Sequence, residues 1–200
     1  HVHKYGQSIG VATAPIVAGG HVHSHNLGYV EEAGDYEIAT VDVELPDTEK
    51  ERTFDGYHRV DGRVGTRNYI GILASVNCSA STAKMIAEQV KPYLAEFPGV
   101  DGVVALTHSS GCGMIPTSVG GSVLQRTLHG YAGHPNFGGL LLLGLGCEMV
   151  QVRSILDSAP IPSDTLVDTL TIQDTGGIRA TVTAGVAAVR AMLPQLQQRI

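Results

Sequence analysis

Four stretches of the chain are apolar over the length of a strand and stop at a turn rich in Gly, Asn, Ser or Asp. Asn68 to Val76 ends at Asn77-Cys78-Ser79, and Gly102 to Thr107 turns through His108-Ser109-Ser110-Gly111-Cys112-Gly113. Leu140 to Leu145 runs into Gly146-Cys147-Glu148, and Leu166 to Ile172 leads into Gln173-Asp174-Thr175-Gly176-Gly177. Their apolar character is continuous rather than alternating, as in strands covered on both faces. Each is followed by helical spacing: Ser79 to Leu94, with Ala83, Ile86, Ala87, Val90 and Leu94 sharing a face, then about Ser118 to Leu128, Met149 to Ser158 and about Thr181 to Gln197. Strand alternating with helix predicts an α/β fold, a Rossmann-like parallel sheet with helices on both faces.

The pattern is different at the start. Residues 1–45 are rich in Gly, Val, Ala, Thr and His in short alternating stretches, which predicts a small β-rich segment. Pro46 to Thr53 is charged and nearly free of core residues, so 46–53 reads as a linker and 54–200 as the main domain. The 43% apolar content of 200 residues is enough for a sizeable core. A formal charge of −6 with scattered Lys and Arg offers no basic stripe, so no nucleic-acid partner is expected. The longest apolar run, Gly138 to Gly146, falls short of the roughly 20 residues of a membrane helix. No membrane partner is therefore expected, and the chain reads as cytoplasmic.

In an open parallel sheet, ligands bind beyond the carboxyl ends of the strands, where loops and helix N-termini converge. Cys78, Cys112 and Cys147 follow the first, second and third strands, so one rule brings all three to one rim. Three cysteines cannot all pair within a chain, and thiolates suit iron, zinc or an iron–sulfur cluster. Reactive thiols or simple packing are the other readings of this set. With no CxxC spacing, a thiol oxidoreductase is disfavoured. His21, His23 and His25 alternate, so on a strand their imidazoles would share a face and could ligate a metal or hold a carboxylate; an edge strand blunted by histidines is the alternative. Arg63 and Arg67, just before the first strand, are candidates to clamp a carboxylate, although residues entering a strand lie at the edge opposite the cysteines. The absence of a GxGxxG after the first strand and of a Walker lysine disfavours dinucleotides and nucleoside triphosphates.

Several of these motifs resemble one family. Lys4 to Thr13 with Val22 to Asn26 is similar to the second half of the SAF domain, a β-clip-like module, of altronate and galactarate dehydratases. Phe54 to Ile70 resembles the opening of that family's central domain. The likeness continues through Val76-Asn77-Cys78, Thr107 to Gly113, His134-Pro135-Asn136, Gly144 to Glu148 and Gln173 to Gly177. The resemblance implies a hydro-lyase acting on a sugar acid, or a sulfolactate-type lyase, with iron as Fe2+ or an iron–sulfur cluster, or another divalent cation, as cofactor. It also implies a C-terminal domain of the same protein, absent from these 200 residues, and a homo-oligomer is expected; a non-catalytic binding or assembly fragment is the competing reading. On this reading Cys78, Cys112, Cys147 and Glu148 are candidate metal ligands. His108, His23 and His25 are candidates for proton transfer, because an imidazole titrates near neutrality. Arg63, Arg67, Asn77, Ser109, Gln173 and Asp174 are candidate substrate contacts.

Overall fold

The computed structural model describes residues 1–31, 40–41, 43–44 and 52–198, and the chain divides into two compact units, 1–51 and 52–200. Of the expected linker, Pro46 to Glu51 fall outside the described residues, as does Leu45. In the first unit β1 (Val2–Lys4), β2 (Gln7–Ala12) and β3 (Leu27–Gly28) form an antiparallel sheet in that order. Tyr5 and Gly6, both at positive φ (53° and 77°), close the β1–β2 hairpin in the left-handed conformation that matches strand twist.

The second unit begins with a short hairpin of β4 (Tyr57–His58) and β5 (Val64–Gly65). A parallel sheet follows, built of β6 (Tyr69–Ala74), β7 (Gly102–Leu106), β8 (Phe137–Gly144) and β9 (Leu166–Thr171) in the order β7-β6-β8-β9. Between and after these strands come α1 (Ala80–Val90), α2 (Val119–Ala132), α3 (Val152–Ser158), the single turn α4 (Ile172–Thr175) and α5 (Ile178–Gln197). The first helix is shorter than its apolar spacing predicts. Pro92 has no N–H to continue the ladder, and the chain tightens into a 3-10 turn over Lys91–Glu96.

Alternate strand residues feed two cores. Ile70, Ile72, Leu141 and Leu143 pack with Ile86 and Val90 of α1 and with Val189, Leu193 and Leu196 of α5. Leu73, Leu140 and Leu142 face the other way, against Leu124 and Leu128 of α2 and Ile155 of α3. All eight residues of β8 are buried, as a central strand covered on both faces requires. With α1 on one face and α2 on the other, the strand order reverses at β6, the position where open sheets of this kind form a ligand crevice beyond their carboxyl ends.

Candidate active site at the sheet rim

Three turns meet at the carboxyl end of β6, and short hydrogen bonds fix them to each other. Ser75 N–H donates to Leu143 O (3.0 Å) and Asn77 N–H to Ser110 O (2.9 Å), tying the turn after β6 to its neighbours on both sides. Ser79 Oγ–H is shared between Val76 O (2.9 Å) and Leu143 O (3.0 Å). Gly111, at φ 101°, lies so close to this crossing that a Cβ on it would sit 3.2 Å from both Ser75 O and Val76 Cα, so its backbone conformation favours glycine and the tight approach adds to that preference. The fourth turn joins through Gln173 N–H, which donates to Leu145 O (3.0 Å) and brings the Gln173 side chain against Gly146.

Cys78, Cys112 and Cys147 are all exposed on this rim. The Cys78 thiol is pushed up from its ordinary pKa, first by partial desolvation at the turn, then by the neighbouring Cys112 sulfur and, more weakly, by Cys147. Both neighbouring sulfurs thus lie near enough to Cys78 to influence it. Around them Asn77, Ser109, Gln173 and Asp174 are exposed.

Glu148 is 3% exposed and fully engaged. Its Oε1 accepts from Ser75 Oγ–H (2.7 Å) and Leu145 N–H (3.2 Å), its Oε2 from Gly146 N–H (2.6 Å). Burial raises its pKa as the largest single influence, yet the Ser75 hydroxyl and the backbone donors together outweigh it and hold the carboxyl below its ordinary value. The side chain braces the loop that presents Cys147, so the carboxylate that was a candidate metal ligand is already spent on the fold.

His108 is similarly committed. Ser110 N–H donates to Nδ1 (3.3 Å), which fixes the proton on Nε2, and that N–H donates to Ala74 O (3.1 Å). Both ring nitrogens thus hold the β7 turn against β6, and in this arrangement neither is free to move a substrate proton. A cavity of 590 Å³ opens beside His108 and Ser110, lined mainly by Leu73, Leu106, Met114, Leu124 and Tyr131. Its apolar wall does not suit a polyhydroxylated acid, so the polar rim is the better candidate site.

One set of expected residues is not brought to the rim. Arg63 grips Asp61 with Nε and Nη2 (2.8 and 2.6 Å) in an exposed turn, and Arg67 donates to Thr66 O (2.7 Å). Both precede β6, so a six-residue strand, about 20 Å, separates them from the thiols within this unit. The expected strand through His21, His23 and His25 is a turn in the first unit. Their rings nevertheless gather, with His21 centred 5.6 Å from His23 and 5.8 Å from His25.

The sequence model of the D-galactarate dehydratase/altronate hydrolase second domain matches residues 56–197, and that of the altronate/galactarate dehydratase SAF domain matches residues 1–29. The chain belongs to this family. It is similar to altronate dehydratase of Escherichia coli (strain K12), 34% identical over 79% of this chain and 32% of the relative, and to altronate dehydratase of Bacillus subtilis (strain 168), 32% identical over 72% and 29%. Galactarate dehydratase (L-threo-forming) of Escherichia coli (strain K12) is 31% identical over 76% of this chain and 30% of its own length. The chain thus spans about a third of the length of these relatives.

The iron implied by likeness to altronate and galactarate dehydratases meets suitable donors in the three exposed thiols. Among the described residues, however, no three His, Cys, Asp or Glu side chains already stand in coordinating positions. The rim gathers the donor atoms without closing them into a cage. Among the described residues no helix is long and apolar enough to cross a membrane.

Sequence reading missed the residues that build the rim without touching its surface. Ser75 is a small hydroxyl residue near the end of an apolar run, and a buried hydroxyl needs a partner, which Glu148 supplies. Arg59, 6% exposed, carries no such sequence signal: it donates to Pro135 O (2.7 Å) and Asn68 Oδ1 (3.1 Å) at the opposite edge.

Proposed function

We propose that this chain carries the substrate-facing rim of a hydro-lyase that dehydrates a sugar acid, altronate, galactarate or a related hydroxy acid, to a 2-keto-3-deoxy acid. The observation that carries this reading is the convergence of three exposed thiols with exposed amide and hydroxyl side chains at the point where the sheet order reverses. Family membership supplies the reaction class. The activity is that of the whole protein, and its remaining domain, assembly as a homo-oligomer and cytoplasmic setting belong to this proposal; reduced thiols fit such a compartment.

The reaction removes the proton on C2, next to the carboxylate, and expels the 3-hydroxyl as water; the resulting enol becomes the ketone. Iron held by Cys78, Cys112 and Cys147 would supply Lewis-acid stabilisation of the charge that develops on the carboxylate and 2-hydroxyl oxygens. Asn77, Ser109 and Gln173, all exposed, would hydrogen-bond the acid's hydroxyls and carboxylate. Asp174, beside Gln173, would accept from a substrate hydroxyl. His108 and Glu148 act as positioning residues, one clamping the β7 turn and the other the Cys147 loop.

Anaerobic purification followed by iron and sulfide analysis tests the reading, together with turnover of the full-length protein on a panel of aldonates and aldarates. Bound iron that is lost on Cys112→Ser, with loss of turnover, is the expected result. Full metal content in that variant would overturn the assignment of the thiols.

A further inference from the structure

We infer that His21, His23 and His25 form a divalent transition-metal site in the first unit, built without any cysteine. The inference does not depend on the dehydratase reading. The three imidazoles are exposed and lie on one short segment, with the His21 ring centred 5.6 Å from that of His23 and 5.8 Å from that of His25. Metal–nitrogen bonds of about 2.0–2.1 Å put an imidazole centre about 3 Å from the ion, and two such rings about 5 Å apart in tetrahedral geometry. These two spacings exceed that by less than about 1 Å; the His21 and His23 rings are stacked, so the exposed side chains have to rotate to turn their nitrogens onto one ion.

The backbone is already set for this. Asn26 clasps the turn from both ends: its Oδ1 accepts from His23 N–H (3.0 Å) and its Nδ2 donates to His21 O (2.9 Å). Leu27 N–H and Asn26 N–H both donate to His23 O (2.9 Å each), and Thr13 N–H donates to Asn26 O (3.0 Å), anchoring the turn next to the β2–β3 pair. His23 Nδ1 is hydrogen-bonded to Ser24 Oγ (3.0 Å), which leaves Nε2 as its outward ligand atom. A hydrogen bond on one ring nitrogen is the usual way of fixing which nitrogen meets a metal. Three imidazoles with solvent in the fourth position suit zinc, cobalt or nickel, and ferrous iron less exclusively.

The test uses the full chain carrying Cys78→Ser, Cys112→Ser and Cys147→Ser, stripped with chelator and titrated with Co2+ and Zn2+. One equivalent of Co2+ should bind with visible d–d absorption and without thiolate charge-transfer bands. Replacing His21, His23 and His25 together by Gln should abolish that equivalent, while the far-UV circular dichroism stays unchanged because all three side chains are exposed. Asn26→Ala, which leaves every ligand in place, should weaken binding by about 10–100-fold, the usual loss when a supporting hydrogen bond is removed. Unchanged stoichiometry and affinity in the triple Gln variant would overturn the site. Equal affinity in the urea-unfolded chain would overturn it too, since the folded turn would then contribute nothing. The iron content of the chain with its cysteines intact is a separate readout, so failure here and failure of the thiol assignment are distinguishable.

Discussion

The two ends of the parallel sheet use polar residues in opposite ways. At the edge where strands begin, Arg59, Asn68, Asp101 and Asn136 bind one another and the backbone: Asn68 N–H donates to Asp101 Oδ2 (2.6 Å), Asn68 Nδ2 to Gly99 O (3.0 Å) and Thr66 N–H to Asn136 Oδ1 (2.9 Å). At the edge where strands end, buried polar groups are likewise paired, but thiols, amides and hydroxyls remain exposed above them. The first edge is a clasp and the second is a platform. Polar side chains that answer only to other protein groups report on stability, whereas exposed ones held on a rigid, hydrogen-bonded base report on chemistry.

Substitutions at the two edges should separate along this line. The largest effect on folding is expected from Arg59→Ala, which removes charged donors from Pro135 O and Asn68 Oδ1 in a buried setting and should cost about 3 kcal/mol in urea unfolding. Glu148→Gln comes next, at about 2 kcal/mol, because a Gln amide must turn an N–H toward one of three donors. Its pH dependence has a definite sign. A carboxyl held below its ordinary value contributes stability above the unfolded pKa and loses it as pH falls through the folded one. The gap between wild type and Glu148→Gln should therefore be widest above about pH 4.5 and close as the solution is acidified, as read from unfolding midpoints at several pH values. Gly111→Ala should cost about 1–2 kcal/mol, through positive φ and the approach to Ser75 and Val76. The smallest effect on folding belongs to the Cys78→Ser, Cys112→Ser, Cys147→Ser chain, whose melting temperature should match wild type while its iron content and turnover fall. A large drop in melting temperature in that variant would erase the contrast between platform and clasp.

The strands, the helices and the common rim of thiols are legible in the sequence because continuous apolar runs and strand-to-helix turns are local signals. Strand order is not, because nothing in the runs of β6, β7 and β8 says that β6 lies between the other two. The order emerges from the interleaving of two cores, in which Ile72 and Leu73, adjacent in sequence, belong to opposite layers. The histidines show the opposite case. Alternation predicts a shared strand face, yet the rings meet on a turn because Asn26 offers the backbone a local alternative to a ladder. His108 and Glu148 look like reagents by residue type, and only their partners reveal that each is already committed. The roles of Arg63 and Arg67 follow from which end of a strand they precede, a point of direction that residue type cannot carry.

The pair of bonds that crosses the end of β6, Ser75 to Leu143 on one side and Asn77 to Ser110 on the other, has a consequence for how the rim responds to an occupant. Because residues only two apart hold both neighbours, the turns open and close together as a single cooperative unit. A small molecule settling on any one of them should slow amide hydrogen exchange at Ser75 and Asn77 alike, so these two protons serve as built-in reporters of occupancy for the whole edge.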